Sequence, residues 1–456
     1  MDKRQINGRT ADIGAIIDTA KVSRFHIVIL MVCFLVVLVD GFDTAVVGYI
    51  APSLRGEWGL AASQLSPTFG AGLLGLMCGS LLVGPLADTY GRKKVLLLSV
   101  LVFGLATLAS AASKSIAMFI ALRFVTGIGL GGAMPTCITL SSEYSPAQCR
   151  MLMVTLSSSG FAFGLALSGE IASHVIPLFG WRVLLLIGAI VPLLLLPLLA
   201  WLLPESVRFM VGRSRYSVAL SAVVAKITGT TGWHEVTFVK AEPAANDRSP
   251  VSRLFVEGQA ARTLLLWGAF FGSMFVIYLL TSWLPSLLKD AGYGISTAAR
   301  ISTLLPVGGI FGGVIAAILM DRMNPHRVLF VMYFGAAVAL AALGFLLSVQ
   351  VWASAAVFLV GFGVAGGQNG LNLLAAISYP TSARATGVSW AVASGRIGSI
   401  SGSMAGAFMM TQLGQGQALF AAIAGPALGG ALALFVLGRL TERIRASDTR
   451  DVPATS

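Results

Sequence analysis

Apolar runs recur from one end of the chain to the other, separated by short polar turns, each near the 20 residues a helix needs to cross about 30 Å of hydrocarbon. The pattern predicts helices over 27–50, 64–86, 95–112, 116–138, 152–176 and 181–203, then 263–288, 297–320, 327–347, 352–378, 384–410 and 416–439. A polar stretch, 204–262, holding Pro204, Pro243 and Pro250, divides them into two sets of six. The expected organisation is a tail (1–26), a six-helix bundle (27–203), a linker (204–262), a second six-helix bundle (263–439) and a tail (440–456). The fold class predicted is an all-α membrane protein of about twelve spans in two pseudo-symmetric bundles.

Composition narrows this further. Of 456 residues, 56% are hydrophobic and 11% charged, against about 25% charged in soluble domains, so polar surfaces for soluble domains are missing. A net charge of +12 invites a nucleic-acid reading, but the placement of the charges refutes it. With a cytoplasmic N-terminus, the inside segments collect Lys3, Arg4, Arg9, Lys21 and Arg24, then Arg92, Lys93, Lys94 and Arg150. The linker adds Arg208, Arg213, Arg215, Lys226, Lys240, Arg248, Arg253 and Arg262, and the second half Arg322, Arg327, Arg384, Arg439, Arg443, Arg445 and Arg450. Outside loops hold only Arg55, Lys114, Arg182, Lys289 and Arg300. This is the positive-inside asymmetry, with both termini cytoplasmic; a nucleic-acid groove would need a soluble basic domain. The first 24 residues are polar and the next apolar run is too long for a signal peptide, so it reads as a retained first helix. The cysteines, Cys33, Cys78, Cys137 and Cys149, form no CxxC pair and read as packing residues.

The two halves echo each other. Glu143-Tyr-Ser-Pro146 leads to Arg150 after the fourth span, and Tyr379-Pro380 to Arg384 after the tenth; Asp88 in one half is matched by Asp321-Arg322 in the other. Repeated halves are a common transporter design. Glycines cluster inside the spans, at Gly127, Gly129, Gly131 and Gly132 and at Gly398, Gly402 and Gly406, where they serve close packing or act as hinges.

Chemistry concentrates at a few places. In Gly84-Pro-Leu-Ala-Asp88-Thr-Tyr-Gly91-Arg92-Lys93-Lys94, Gly91 permits a tight turn, and Asp88 at a helix end can pair with a basic group or a helix N-terminus. With Glu143, Arg150, Asp321, Arg322 and Arg384, Gly84, Asp88, Gly91 and Arg92 form the expected gating set. Asp40 and Asp43 share a face of the first span about 20 Å along it. Two carboxylates there are costly unless protonated, paired or wetted, which makes them candidate proton carriers or a structural pair. Arg123 and Arg396 offer planar forks suited to a carboxylate. Arg123 can meet Asp40 or Asp43 or reach the interface; which arginine takes the substrate does not follow from spacing. Glu170 is a third candidate proton carrier, or a headgroup residue beside His174. Gln368, Asn369 and Asn372 can bond a ring hydroxyl or fix helix packing, and Tyr278, Trp283, Phe161 and Phe163 can stack on an aromatic ring. Metalloprotease, nucleophile-elbow and phosphate-loop motifs are absent, and His26, His174, His234 and His326 suggest no triad. An enzyme or ATP-driven pump is not indicated.

The Gly84–Lys94 turn resembles the major facilitator superfamily signature G-x-L-A-D-R-x-G-R-R/K, with Thr89 in place of the usual Arg and a more degraded second copy at Asp321–Pro325. Asp40-Gly41-Phe42-Asp43-Thr44-Ala45 resembles the first helix of the aromatic acid:proton symporter family. Leu122–Pro135, Tyr278–Pro285, Tyr379-Pro380, Arg384–Trp390 and Gly395–Gly398 extend the likeness over nearly the whole chain. The resemblance implies two bundles around a central cavity in the cell inner membrane, importing benzoate- or hydroxybenzoate-type carboxylates, or related phenylpropionates, with protons. The expected partners are that acid, H+ and the bilayer, with no cofactor or metal and the protein a monomer. An exporting proton antiporter for aromatic or drug-like compounds stays open, although the fifth span lacks the usual Gly-Pro pair, as does a symporter for another small organic acid.

Overall fold

The computed structural model describes residues 6–7, 10–211, 213, 216–229, 233, 236–239, 254–255, 259–379, 383–414 and 416–448. Pro243, Pro250, Pro380, His234 and the basic residues Lys3, Arg4, Arg9, Arg215, Lys240, Arg248, Arg253 and Arg450 lie outside them.

Six long helices occupy the first half: α2 (Arg24–Trp58), α3 (Ala62–Tyr90), α4 (Arg92–Ala111), α5 (Ile116–Tyr144), α6 (Arg150–Phe179) and α7 (Trp181–Leu202), preceded by the short α1 (Ile13–Asp18). The connecting stretch carries α8 (Val207–Met210) and α9 (Ser217–Thr228). The second half holds α10 (Ala260–Asp290), α11 (Ile295–Arg322), α12 (Pro325–Leu346), α13 (Gln350–Val360), α14 (Gly366–Ser378), α15 (Arg384–Leu413) and α16 (Gln417–Asp448). A π-helical turn, Gly361–Ala365, joins α13 to α14 in one continuous helix. Among the described residues, eleven helices are long and apolar enough to cross a membrane. The long helix outside that set is α15, whose interior is rich in Ser and Gly and holds Arg396.

Local chemistry sets several ends. Gly91 precedes α4 with φ 100°, a conformation costly for any side chain. The Ser115 hydroxyl caps α5 by accepting from Met118 N, and the Asn324 side chain caps α12 ahead of Pro325. Helix α2 runs beyond the predicted 27–50 because Ala51–Trp58, although partly polar, stays helical.

The polar stretch expected to be a plain linker also carries structure. Leu220, Val223, Val224 and Ile227 recur at helical spacing in α9 and are buried with Ile13, Ile16, Ile17, Trp233 and Phe238. Strand Thr10–Asp12 pairs in parallel with Thr237–Val239, tying the tail to this segment.

By packing, the chain divides into two compact units that do not follow the sequence halves. The first comprises Met1–Thr44, Ala71–Leu165 and Arg182–Asn246; the second comprises Ala45–Gly70, Ala166–Trp181 and Asp247–Ser456. In the second unit, the ends of α2, α3 and α6 pack on helices of the second half. Tyr49 shares a hydrogen bond with the Thr303 side chain. The Ser66 hydroxyl donates to Met404 O at 2.7 Å, Phe69 lies 5.1 Å from the Trp283 ring, and Arg55 pairs with Asp290 at 2.9 Å.

Candidate functional site

In the first unit, α2 brings Asp40 and Asp43 into the interior, each 2% exposed. Gly41 between them faces the Phe161 carbonyl of α6, where a Cβ would collide with backbone. Arg123 of α5, also 2% exposed, pairs with Asp43 at 3.2 Å. Its other terminal nitrogen donates to Thr107 and Ser110 of α4, at 3.1 and 3.0 Å. Thr107 in turn donates to Asp43 at 2.9 Å, and the Phe119 ring lies 5.5 Å from the guanidinium. Both terminal nitrogens of Arg123 are therefore engaged within this network. Asp40 sits one helical turn before Asp43, so two carboxylates share one buried neighbourhood.

The same unit contains the turn between α3 and α4. Glu143 is the buried anchor there: it pairs with Arg92, lies 3.5 Å from Arg208 and accepts from the Ser206 hydroxyl at 2.6 Å. Glu205 accepts from Lys93 N and Ser206 N beside Gly91. Arg150 pairs with Asp18 and donates to Ser145 O at 3.1 Å. Asp88 is exposed, 3.9 Å from Arg92, and Gly84 has open space around it. In the other unit, Asp321, Arg322 and Arg384 are exposed at helix ends. Burial pushes the Tyr379 hydroxyl above its ordinary pKa, against the pull of hydrogen bonds with Thr263 and Trp267.

Arg396 stands within α15, half-buried, and its side chain has no ion-pair or hydrogen-bond partner among the described residues. Tyr278 is half-buried; Asn369 and Asn372 are exposed on α14, and Gln368 is buried there. Trp283 is fully buried, its indole N–H donating to Ser403 O at 2.7 Å, so its ring belongs to a packed seam. Phe161 is half-buried and Phe163 exposed. Glu170 is more than half exposed, 3.6 Å from His174, which accepts from Arg300. Glu170 thus belongs to a different unit from Asp40 and Asp43.

The model of the Major Facilitator Superfamily matches residues 33–403. A gallate transporter of Pseudomonas putida is 42% identical over 96% of this chain and 97% of its own. The chain belongs to the major facilitator superfamily, in its aromatic acid:proton symporter family. A 4-hydroxybenzoate transporter of Pseudomonas aeruginosa is 42% identical over 88% of this chain and 89% of its own. A 3-(3-hydroxyphenyl)propionate transporter of Escherichia coli is 35% identical over 91% and 94%. A solved structure of the Escherichia coli xylose transporter shares the fold, with a TM-score of 0.70 at 18% identity, covering 91% of this chain and 98% of that one.

For this member of the superfamily, sequence reasoning missed the partners rather than the centres. Thr107 and Ser110 recur three apart in an apolar helix, a signal available in hindsight. Asp18, Glu205, Ser206 and Arg208 lay in stretches read as tail and linker. Membership of this superfamily makes the chain a secondary transporter, and its apolar spans hold buried charge at Asp40, Asp43 and Arg123.

Proposed function

We propose that the chain imports aromatic carboxylates of the benzoate and hydroxybenzoate class together with protons, by alternating exposure of its site to the two sides of the inner membrane. The observation that carries this is the closed Asp43–Arg123–Thr107–Ser110 network. Arg123 already holds a carboxylate of its own chain, which leaves Arg396 to take the carboxylate of the substrate. Asp40 carries the coupling proton: adding it removes one of two like charges from a buried pair. The names of the relatives supply the substrate class. One proton moving with one monoanion transfers no net charge, so the pH gradient drives uptake.

In this reading α15 also spans, as the eleventh in chain order, and brings the number to twelve. Its Ser, Gly and Arg content suits a helix facing protein and water rather than lipid. Twelve spans place both termini on one side, and the basic bias of the inside segments makes that side the cytoplasm. The Gly84–Lys94 turn, anchored on Glu143, with Arg150, Asp321, Arg322 and Arg384, then lies on the cytoplasmic side and latches it; exposed Asp88 is its movable partner.

Proteoliposomes loaded at defined pH test the reading. Uptake of radiolabelled 4-hydroxybenzoate should rise as external pH falls and collapse with a protonophore. Asp40→Asn should abolish uphill uptake and keep exchange. Arg396→Gln should weaken binding of the acid about ten- to a hundredfold while sparing its uncharged amide, as expected for a charge-assisted bond. Accumulation that a protonophore stimulates would establish the exporting antiporter instead. Equal weakening of acid and amide would remove Arg396 as the anchor.

A further inference from the structure

The π-helical turn Gly361–Ala365 interrupts the helix that carries the amides. Such a turn inserts an extra residue and swings the following segment around the helix axis, and it recurs at functional sites. Beyond it, α14 packs tightly on α12: a Cβ at Gly367 would collide with the Tyr333 ring. In this placement Gln368 ends a chain of hydroxyls from two other helices. The Tyr333 hydroxyl of α12 donates to Ser273 Oγ of α10 at 2.8 Å, and Ser273 donates to Gln368 Oε1 at 2.6 Å. Tyr333 and Ser273 are fully buried, and Gln368 is 8% exposed.

This chain of hydroxyls has a direction. Each donor proton is used on the next oxygen, so the carboxamide oxygen accepts and its Nε2 is turned the other way. Gln368 Nε2 is buried and has no hydrogen-bond partner among the described residues. An amide donor left in that condition carries a desolvation penalty that a ligand oxygen would relieve. Asn369 and Asn372, next to it and one turn on, are exposed along the same segment.

We propose that Gln368 reads an oxygen on the aromatic ring of the substrate, its NH2 donating to a phenolic oxygen, with Ser273 and Tyr333 as positioning residues that fix the orientation of the amide. This rests on the aromatic-acid reading above and adds to it a preference: hydroxylated rings over bare ones. A site built to bond a hydroxyl discriminates against an analogue that lacks it, because the site's own polar group is then left unpaired.

The test compares binding of 4-hydroxybenzoate and benzoate, which share a carboxylate and differ in the ring oxygen, on purified protein in detergent. Gln368→Met keeps length and loses the amide. It should weaken 4-hydroxybenzoate about five- to tenfold and change benzoate less than about twofold. Ser273→Ala, a smaller change that guards against misfolding of the first variant, should shift the ratio in the same direction by a lesser factor, since the amide is then free to turn. Tyr333→Phe should behave like Ser273→Ala. An unchanged hydroxybenzoate-to-benzoate ratio in folded Gln368→Met and Ser273→Ala protein overturns the proposal while leaving the transporter reading intact. Failure of the unaltered protein to bind either acid overturns both.

Discussion

Arg123 directs one terminal nitrogen at Asp43 and the other at two hydroxyls, all inside one unit. A buried pair of this kind gives little net stability, because desolvation offsets most of the attraction, yet breaking it from one side is costly. Asp43→Asn leaves a buried cation without its counter-charge and should destabilise the protein by roughly 3–5 kcal/mol, read as a fall in the detergent melting temperature. Arg123→Gln combined with Asp43→Asn should recover part of that loss, since neither charge then remains. If the double variant melts below Asp43→Asn, the two residues are not coupled as the geometry implies. Both aspartates and both arginines were legible in the sequence because ionisable groups stand out against an apolar background. Which arginine pairs with which carboxylate was not, since spacing within one helix says nothing about the rotation of another.

At the scale of elements, glycines mark where helices touch. Gly41 of α2 lies against the backbone of α6, whereas Gly84 of α3 meets nothing within 4 Å. Gly41→Ala must push the two helices apart and should cost about 1–3 kcal/mol. Gly84→Ala sits in open space within a helix and should be neutral or stabilising by up to about 1 kcal/mol. Side-by-side melting of the two variants checks this; equal losses would contradict the packing. Any loss of transport in stable Gly84→Ala then reports on the gating turn itself. The spans were legible for the same reason as the charges: about twenty apolar residues have few other uses. Two features were hidden. The apolar spacing of Leu220, Val223, Val224 and Ile227 sat in a stretch dominated by prolines and charges. The π turn has no composition of its own, and only the packing of α14 on its neighbours exposes it.

For the molecule as a whole, the informative contacts join the two sequence halves inside one unit. Arg55 of α2 pairs with Asp290 of α10 at 2.9 Å, the two side chains 24% and 20% exposed. Around them stand Ser66 on Met404 O, Tyr49 on Thr303 and Phe69 against Trp283. The proposed topology puts this seam on the outer side. An importer must open that side once per cycle, so these contacts must part and re-form. The others are hydroxyl hydrogen bonds or ring packing, with no charge to test. The ion pair can be tested without disturbing the rest. At this exposure it is worth roughly 1 kcal/mol, which alters a two-state ratio about fivefold. Arg55→Asp alone places two carboxylates together and should favour the outward-open state, raising labelling of a cysteine introduced along the seam and slowing net uptake. Asp290→Arg alone should do the same with two cations. The double swap, Arg55→Asp with Asp290→Arg, restores attraction with opposite polarity and should return both labelling and uptake toward the unaltered protein. If the double swap is no better than either single variant, the pair does not hold the outer side closed, and the closing energy lies in the Trp283 seam and the Ser66 hydroxyl bond.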